Sequence, residues 1–193
     1  WISYACGTCP ACATGADGVC FNQKISGYYT PGTFQQYVLA PSTYVTPIPA
    51  ALKSEDAAPL LCAGLTSYAA LRKSGAQSGQ FVVISGAGGG LGHLAIQIGA
   101  RGMGLRMIGI DHGSKEALVK ESGAEAFFDV TKFDDAALAA EVKKVTGGLG
   151  AHAYCGVGGG ESEGGGGGVG VGGEGAGVDA FEGGEVGEVD GGV

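Results

Sequence analysis

The chain has 193 residues, 45% of them hydrophobic, which is enough for one large or two small domains with a buried core. Its net charge of −8 comes from residues 156–193, which hold eight acids and no base; residues 1–155 carry 11 acids and 11 bases. A neutral body gives no electrostatic reason to expect DNA, RNA or an anionic membrane as a partner. No apolar run is long enough to span a bilayer.

Four cysteines lie close together near the start of the chain, with the spacing C-x2-C-x2-C-x7-C: Cys6, Cys9, Cys12 and Cys20. Four thiolates at this spacing, among residues that allow sharp turns, are typical of tetrahedral zinc. A pair of disulfides is the alternative, but the first three cysteines are too close together for easy unstrained pairing and nothing indicates secretion. Because the protein supplies all four ligands, the spacing predicts a structural zinc rather than a catalytic one.

The next segment has weaker signals. Between Phe21 and Pro49, prolines, glycines and aromatic residues predict short strands and turns of a β-rich region. Ser54 is predicted to cap a helix that Pro59 breaks or kinks, and a second helical run follows from Leu60 to Ser74. Cys62 lies in this apolar run and, considered alone, is interpreted as a buried small hydrophobic residue.

Residues 81–111 have the pattern of a dinucleotide-binding βαβ unit. Phe81–Ser85 is apolar and rich in β-branched residues, as in a strand buried on both faces. A glycine run follows, and then a helix that Gly102 and Gly104 can end. A second apolar strand, Leu105–Ile110, stops at Asp111, near the spacing expected of the acid that binds the adenosine ribose. The helix is predicted to bury one apolar face: Leu91, Leu94, Ala95 and Ile98.

The glycine turn differs slightly from the G-x-G-x-x-G pattern, because an alanine stands in its first position. Glycines let the backbone approach a pyrophosphate, the helix N-terminus offers N–H groups, and a carboxylate accepts hydrogen bonds from ribose hydroxyls. The alternative is an ordinary glycine-rich turn with the acid as a helix cap. The predicted cofactor-binding residues are Gly86, Ala87, Gly88, Gly89, Gly90, Leu91, Gly92 and Asp111.

Strands and helices continue to alternate after this unit. A helix is predicted from Ser114 to Gly123, a strand from Ala126 to Val130, a helix capped by Asp134, and a strand from Ala151 to Cys155. This alternation predicts an α/β fold with a doubly wound parallel sheet of the Rossmann type, present in part. Three histidines without visible partners are interpreted as surface or core residues rather than ligands: His93, His112 and His152.

Residues 156–193 have a different composition: 36 of the 38 are Gly, Ala, Val, Asp or Glu, and 19 are Gly. Glycine loses the most backbone entropy on folding, so this segment is predicted not to fold. All codons of these five residues begin with G, which indicates a shifted reading frame in a GC-rich gene. Stand-in residues and a genuine acidic linker are the alternatives. We predict that this segment is not the native continuation, which peptide mapping of the protein from its source would decide.

Taken together, the motifs resemble those of the zinc-dependent medium-chain alcohol dehydrogenases, most closely the tetrameric yeast-type branch. The resemblance covers about residues 1–155. It rests on four passages: CGTCPAC followed by a fourth cysteine, SGYYTPGTFQQYV, APLLCAGLTSYAAL, and VVISGAGGGLGHLAIQ leading to GID.

The resemblance implies the domain organisation and several residue roles. Residues 1–60 would be the C-terminal part of a β-rich, GroES-like catalytic domain with a structural zinc lobe, and residues 61–155 part of an NAD-binding Rossmann domain. Cys62 would be the third protein ligand of a catalytic zinc, which replaces the interpretation as a core residue. Lys115 would lie beside the adenosine end of NAD. We therefore expect NAD and zinc as cofactors, a small alcohol or aldehyde substrate, a cytoplasmic location and a homo-tetramer in the full-length form.

In that family, the other two protein ligands of the catalytic zinc and the proton relay lie upstream of the position of Trp1. The chain is therefore expected to be an internal fragment of the oxidoreductase and inactive alone. One alternative is a zinc- and NAD-binding fragment without catalysis. A zinc-free quinone reductase of the same superfamily ranks lower, because it has no reason to contain the cysteine cluster or Cys62. A zinc-ribbon interaction module conflicts with the neutral body and the nucleotide unit.

Overall fold

The computed structural model describes residues 3–157 and 169–172. These residues divide into two compact units, one up to Ala57 and the other from Ala58 onward. The division lies three residues before the boundary predicted between residues 60 and 61.

The first unit has short elements joined by turns. Strand β1 (Ser3–Tyr4) pairs antiparallel with β2 (Lys24–Ile25), and helix α1 (Pro10–Ala13) lies between them in the chain. Proline at the first position of α1 suits a helix start, where its missing N–H has no intrahelical partner. The prediction of a β-rich region between Phe21 and Pro49 is met only in small part, because strand structure there is confined to β2 and one isolated bridge between Ser26 and Thr30. Two 3₁₀ turns complete the unit: Asp17–Val19 and Ser42–Tyr44.

A helical segment leads into the sheet of the second unit. Helix α2 spans Ser54–Pro59, a π-helical turn spans Leu60–Gly64, and helix α3 spans Leu65–Lys73. Ser54 is therefore the first helical residue rather than the cap, a difference of one position. The regular α-helix ends at Pro59, because proline has no N–H for the helical ladder and the next turn is wider.

The sheet has five strands, and its first four are parallel. In chain order they are β3 (Phe81–Ser85), β4 (Arg106–Asp111), β5 (Ala126–Asp129), β6 (Ala153–Val157) and β7 (Val169–Gly172), and their spatial order is β5-β4-β3-β6-β7. The four parallel strands follow the 3-2-1-4 order of a doubly wound sheet. The chain runs from β3 to β4 and β5 on one side and then returns to β6 on the other side of β3, so a topological switch point lies between β3 and β6. The predicted fold class is confirmed.

Helices cover both faces of this sheet. They are α4 (Gly90–Gln97), extended by a π-helical turn (Ile98–Gly102), α5 (Glu116–Ser122) after a 3₁₀ turn (Gly113–Lys115), and α6 (Asp135–Val145). Alternate strand residues point to opposite apolar layers. One layer includes Val82, Ile84, Met107, Ile96 and Val119. The other includes Val83, Ile108, Phe128, Leu138 and Val142.

The buried face of α4 differs from the predicted one. Its buried residues are Gly92, Ala95, Ile96 and Gly99, the last in the π-helical turn, so the face is rotated by about one residue from the prediction. Glycine makes this rotation possible. A Cβ added to Gly92 would overlap the carbonyl oxygen of Gly86, and one added to Gly99 would come within 2.5 Å of the Met107 sulfur. Hydrophobicity alone therefore identified the helix but not the face that approaches the sheet.

Residues 156–193 are described only in part, as the end of β6 and as β7. Strand β7 pairs antiparallel with β6, with Cys155 opposite Val171. The prediction that the segment does not fold is wrong for Val169–Gly172, where alternating valines suit a strand. The remaining residues of the segment lie outside the described ones, and its non-native origin stays a prediction.

Candidate metal centre and coenzyme site

The four clustered cysteines meet in the first unit. Their sulfur atoms all lie within 4.8 Å of one another. Cys9 Sγ is 3.5 Å from Cys12 Sγ and 3.8 Å from Cys20 Sγ. A tetrahedral ion with Zn–S bonds of about 2.3 Å needs sulfurs about 3.8 Å apart, so the Cys9–Cys12 and Cys9–Cys20 distances suit such an ion. All four are free thiols rather than disulfide partners.

Backbone N–H groups favour thiolates in this cluster. The Cys9 N–H donates to Cys6 Sγ at 3.4 Å. Hydrogen bonds from the backbone of Thr8 and Cys9 lower the pKa of Cys6 to about 5. Burial and the neighbouring Cys9 sulfur raise the pKa of Cys12 to about 12. Backbone hydrogen bonds also lower the pKa of Cys9, so the backbone around the cluster favours the thiolate, which is the form of cysteine that binds a metal.

In the second unit, the glycine turn joins β3 to α4. Gly86 has φ +67°, a conformation that glycine adopts without a Cβ penalty. The Gly89 N–H donates to the Gly86 carbonyl at 3.0 Å, which closes the turn. The helix then begins at Gly90 with Gly89 in extended conformation. First-turn N–H groups of a helix have no intrahelical acceptor, so the turn presents donors suited to a phosphate.

Asp111 and Lys115 lie against this turn. Asp111 ends β4, and its Oδ2 accepts a hydrogen bond of 2.7 Å from the Gly88 N–H, while its Oδ1 accepts one from the His112 N–H. A Cβ added to Gly88 would lie 2.5 Å from the Lys115 Cβ, so the lysine stem covers this glycine. The glycine turn and Asp111, predicted from sequence spacing, and Lys115, predicted from the family resemblance, therefore lie together at the carboxyl ends of β3 and β4.

Cys62 lies apart from these groups. It is exposed in the π-helical turn, which contradicts its interpretation as a buried hydrophobic residue. Within residues 3–157, the structure gathers three or more metal-ligating side chains only in the four-cysteine cluster, which does not include Cys62. Outside the four-cysteine cluster, the buried thiol of the described residues is that of Cys155; burial raises its pKa to about 11, so it stays protonated at neutral pH.

The three histidines lie in different surroundings. His93 Nδ1 lies 2.7 Å from the Gly89 carbonyl oxygen, and His112 Nδ1 accepts a hydrogen bond from the Ser114 N–H. His152 Nε2 is buried and has no hydrogen-bond partner among the described residues. None of the three joins a metal-ligating group in the described part of the chain.

Sequence reasoning missed Asp129. It ends β5 and lies opposite Asp111 in the register of β4 and β5. The signal was available, because Asp129 is an acid at the end of the predicted third strand, and the carboxyl ends of parallel strands share one edge of the sheet.

Comparison with known proteins identifies the family. Residues 1–50 match the Alcohol dehydrogenase GroES-like domain. Alcohol dehydrogenase 2 of Emericella nidulans is 69% identical over 158 residues, which cover 79% of this chain and 43% of that protein. The chain belongs to the alcohol dehydrogenase family. An alcohol dehydrogenase of Schizosaccharomyces pombe is 44% identical over 153 residues, with the same coverage of both proteins. This chain thus spans less than half the length of these dehydrogenases.

A solved structure gives the same result for the fold. The NAD-dependent alcohol dehydrogenase matches with a TM-score of 0.69 and 32% identity, over 79% of this chain and 44% of its own. The family likeness therefore extends through both units described above. Within residues 3–157 and 169–172, no helix has both the length and the apolar character that crossing a bilayer requires.

Proposed function

We propose that this chain is part of a zinc-dependent dehydrogenase that transfers a hydride between a small, ethanol-like alcohol and NAD. The observation that carries the proposal is the contact of Asp111 with the glycine turn at the switch-point edge of the sheet, in a chain of the alcohol dehydrogenase family. When bound, NAD would supply the hydride acceptor and a catalytic zinc would supply a Lewis acid that polarises the alcohol. The residues of this chain bind and orient these groups.

The coenzyme roles follow from position. The turn from Gly86 to Gly92 and the N-terminus of α4 would hold the pyrophosphate with backbone N–H groups. Asp111 would accept hydrogen bonds from the ribose hydroxyls, exchanging its present bond to Gly88 for them, and Lys115 would lie beside the adenosine end. A carboxylate at this position repels a 2′-phosphate, and the next residue, His112, is not an arginine that could receive one. The protein should therefore prefer NAD to NADP.

The metal roles are divided between two places. The cluster of Cys6, Cys9, Cys12 and Cys20 would hold a structural zinc, because four thiolates close its coordination shell. Cys62, which is exposed, would be one ligand of the catalytic zinc in the complete protein. A catalytic site ordinarily needs three protein ligands and one open position, so Cys62 alone should not form one. The complete protein is proposed to be a cytoplasmic homo-tetramer.

The experiment is an ethanol oxidation assay with NAD and with NADP, on the 193-residue chain and on the full-length protein. Full-length protein should reduce NAD much faster than NADP, and Asp111→Ala should reduce that preference by weakening NAD binding. Equal turnover with both coenzymes by the unmutated protein would contradict the NAD assignment. Dehydrogenase activity of the 193-residue chain alone would contradict the role given to Cys62.

A matched variant separates catalysis from folding in this assay. Cys155→Ala changes a buried, protonated cysteine outside both sites and should leave the coenzyme preference unaltered. Cys62→Ala in full-length protein should remove ethanol oxidation while NAD binding persists. Full activity of Cys62→Ala would favour the zinc-free quinone reductase alternative over the proposed dehydrogenase.

A further inference from the structure

The carboxylate of Asp129 is held firmly at the end of β5. The residue is 8% exposed, and its Oδ1 accepts hydrogen bonds from the N–H and the hydroxyl of Thr131, at 3.0 and 2.8 Å. Lys132 Nζ lies 3.5 Å from Oδ2. Because both carboxylate oxygens of Asp129 have partners, the side chain is held in one orientation, and it can position a backbone segment that packs against it.

The 3₁₀ turn Gly113–Lys115 lies against this carboxylate. A Cβ added to Gly113 would overlap Asp129 Oδ2, so a residue with a side chain could not take this position without displacing the turn. Hydrogen bonds from the Thr131 backbone and hydroxyl lower the pKa of Asp129; burial opposes them, and the Gly113 backbone and Lys132 add to the lowering. The carboxylate is therefore charged at neutral pH, and a charged acceptor makes the stronger hydrogen bonds.

The same turn reaches the proposed coenzyme site. Lys115 is its last residue, and the Lys115 stem covers Gly88. The Gly88 N–H in turn donates to Asp111, which lies opposite Asp129 in the sheet register. A series of direct contacts thus runs from Asp129 through Gly113 and Lys115 to the glycine turn.

We propose that Asp129 is a positioning residue of the coenzyme site, holding the Gly113–Lys115 turn so that Lys115 and the glycine turn are placed for the adenosine end of a dinucleotide. Asp129 acts through Gly113 and does not contact the coenzyme. This inference rests on the proposed function, because the turn matters for binding only if a dinucleotide occupies the site.

The test measures ADP-ribose binding to the 193-residue chain by calorimetry, because this probe uses the adenosine and pyrophosphate contacts without nicotinamide. Asp129→Asn keeps the shape of the side chain and removes its charge, so we expect a Kd about tenfold higher. Gly113→Ala, which pushes the turn from the other side, should weaken binding by a similar factor. Because both act through one contact, the double variant should bind about as weakly as either single variant rather than about a hundredfold more weakly.

Asp134→Ala is the matched control. Its carboxylate also accepts a backbone hydrogen bond, from the Ala137 N–H at 2.8 Å, but at the start of α6 rather than beside the turn. This variant should lose stability and keep its affinity for ADP-ribose. Hydrogen exchange of the residue 113–115 amides should be faster in Asp129→Asn than in the unmutated chain, and unchanged in Asp134→Ala.

The outcomes separate this inference from the proposed function. If the unmutated chain binds ADP-ribose and Asp129→Asn binds it within twofold, the positioning role is wrong and the proposed function stands. Additive effects in the double variant would also overturn the role. If Asp129→Asn does not fold, Gly113→Ala decides: unchanged affinity contradicts the inference, and weakened affinity supports it. No binding by the unmutated chain would overturn the proposed coenzyme site, and the inference with it.

Discussion

Among the described residues up to Ala57, three are buried, and two of these, Cys9 and Cys20, belong to the cysteine cluster. Large apolar side chains of this unit, such as Phe34, Tyr37 and Leu39, are almost fully exposed. From Ala58 onward, buried residues instead form two continuous apolar layers on the faces of a sheet. A small unit without an apolar core needs another source of stability, and a structural metal can supply it.

The comparison also explains why each unit suits its chemistry. In the first, a proline at the start of α1 and Gly7 and Gly15 at positive φ bend the chain around the sulfurs. In the second, the apolar layers fix the strands so that their carboxyl ends present a rigid edge. Metal binding should therefore control the stability of the first unit, and hydrophobic packing that of the second.

The largest effect should come from Cys9→Ala. Structural zinc contributes about 10–16 kcal/mol of binding free energy in small zinc domains, so loss of one ligand should unfold residues 3–57. Metal analysis should show one bound zinc in the unmutated chain and none in the variant. Hydrogen exchange should show protection lost in the first unit and retained in the sheet.

Cys155→Ala is the control for this change, because it removes a buried thiol from β6 and leaves the cluster intact. It should retain one zinc. Absence of zinc from the unmutated chain, or disulfides among the four clustered cysteines by mass spectrometry, would overturn the metal centre.

Ile108→Ala should have the opposite pattern of effects, destabilising the sheet of the second unit while the first unit keeps its zinc. Ile108 is fully buried in β4, and removing its side chain leaves a cavity that should lower the free energy of unfolding of the sheet by about 2–5 kcal/mol. Denaturant titration followed by the exchange of sheet amides measures this change. Leu149→Ala, at a residue 91% exposed, is the control and should change stability by less than about 0.5 kcal/mol. Zinc content should be unchanged in both, and loss of zinc in Ile108→Ala would show that the two units are not stabilised separately.

The same contrast explains what could be predicted from the sequence. The cysteine cluster is local, with its ligands within 15 residues, and spacing alone indicates its chemistry. Strands β3 and β4 were predicted because a strand buried on both faces has an almost uninterrupted apolar pattern. Strands β5 and β6 were predicted from the alternation of strands and helices, and β6 begins two residues later than predicted. The cap at Asp134 was also predicted correctly, since its carboxylate accepts from Ala137 N–H.

The buried face of α4 and the role of Asp129 depend on packing between residues distant in sequence. The buried face of α4 is set by Gly92 and Gly99, whose lack of a side chain lets the helix approach the sheet, whereas hydrophobicity favoured larger neighbours. Asp129 gains its importance only from the strand register that brings it beside Asp111. The exposure of Cys62 does not follow from the apolar run around it, which has the composition of a core segment; only the family resemblance gave this residue another role. The hydrophobic pattern of the sequence thus predicts where helices and strands lie, whereas the contacts between them determine which residues are buried and which lie at the site.

The smallest effect concerns the start of α6, where Asp134 has extended backbone (φ −78°, ψ 171°) and its side chain accepts the Ala137 N–H. Asp134→Ala leaves that donor without its side-chain partner and should lower the free energy of unfolding of the sheet unit by about 1 kcal/mol. Asp134→Asn keeps the acceptor and loses only the charge beside the helix N-terminus, so it should cost about 0.3–1 kcal/mol. Denaturant titration at low salt distinguishes the two, and added salt should reduce the cost of the Asn variant because it screens the dipole interaction. If both variants have the same stability as the unmutated chain, the Asp134 cap does not stabilise α6. If either variant loses zinc, the two units are not stabilised separately.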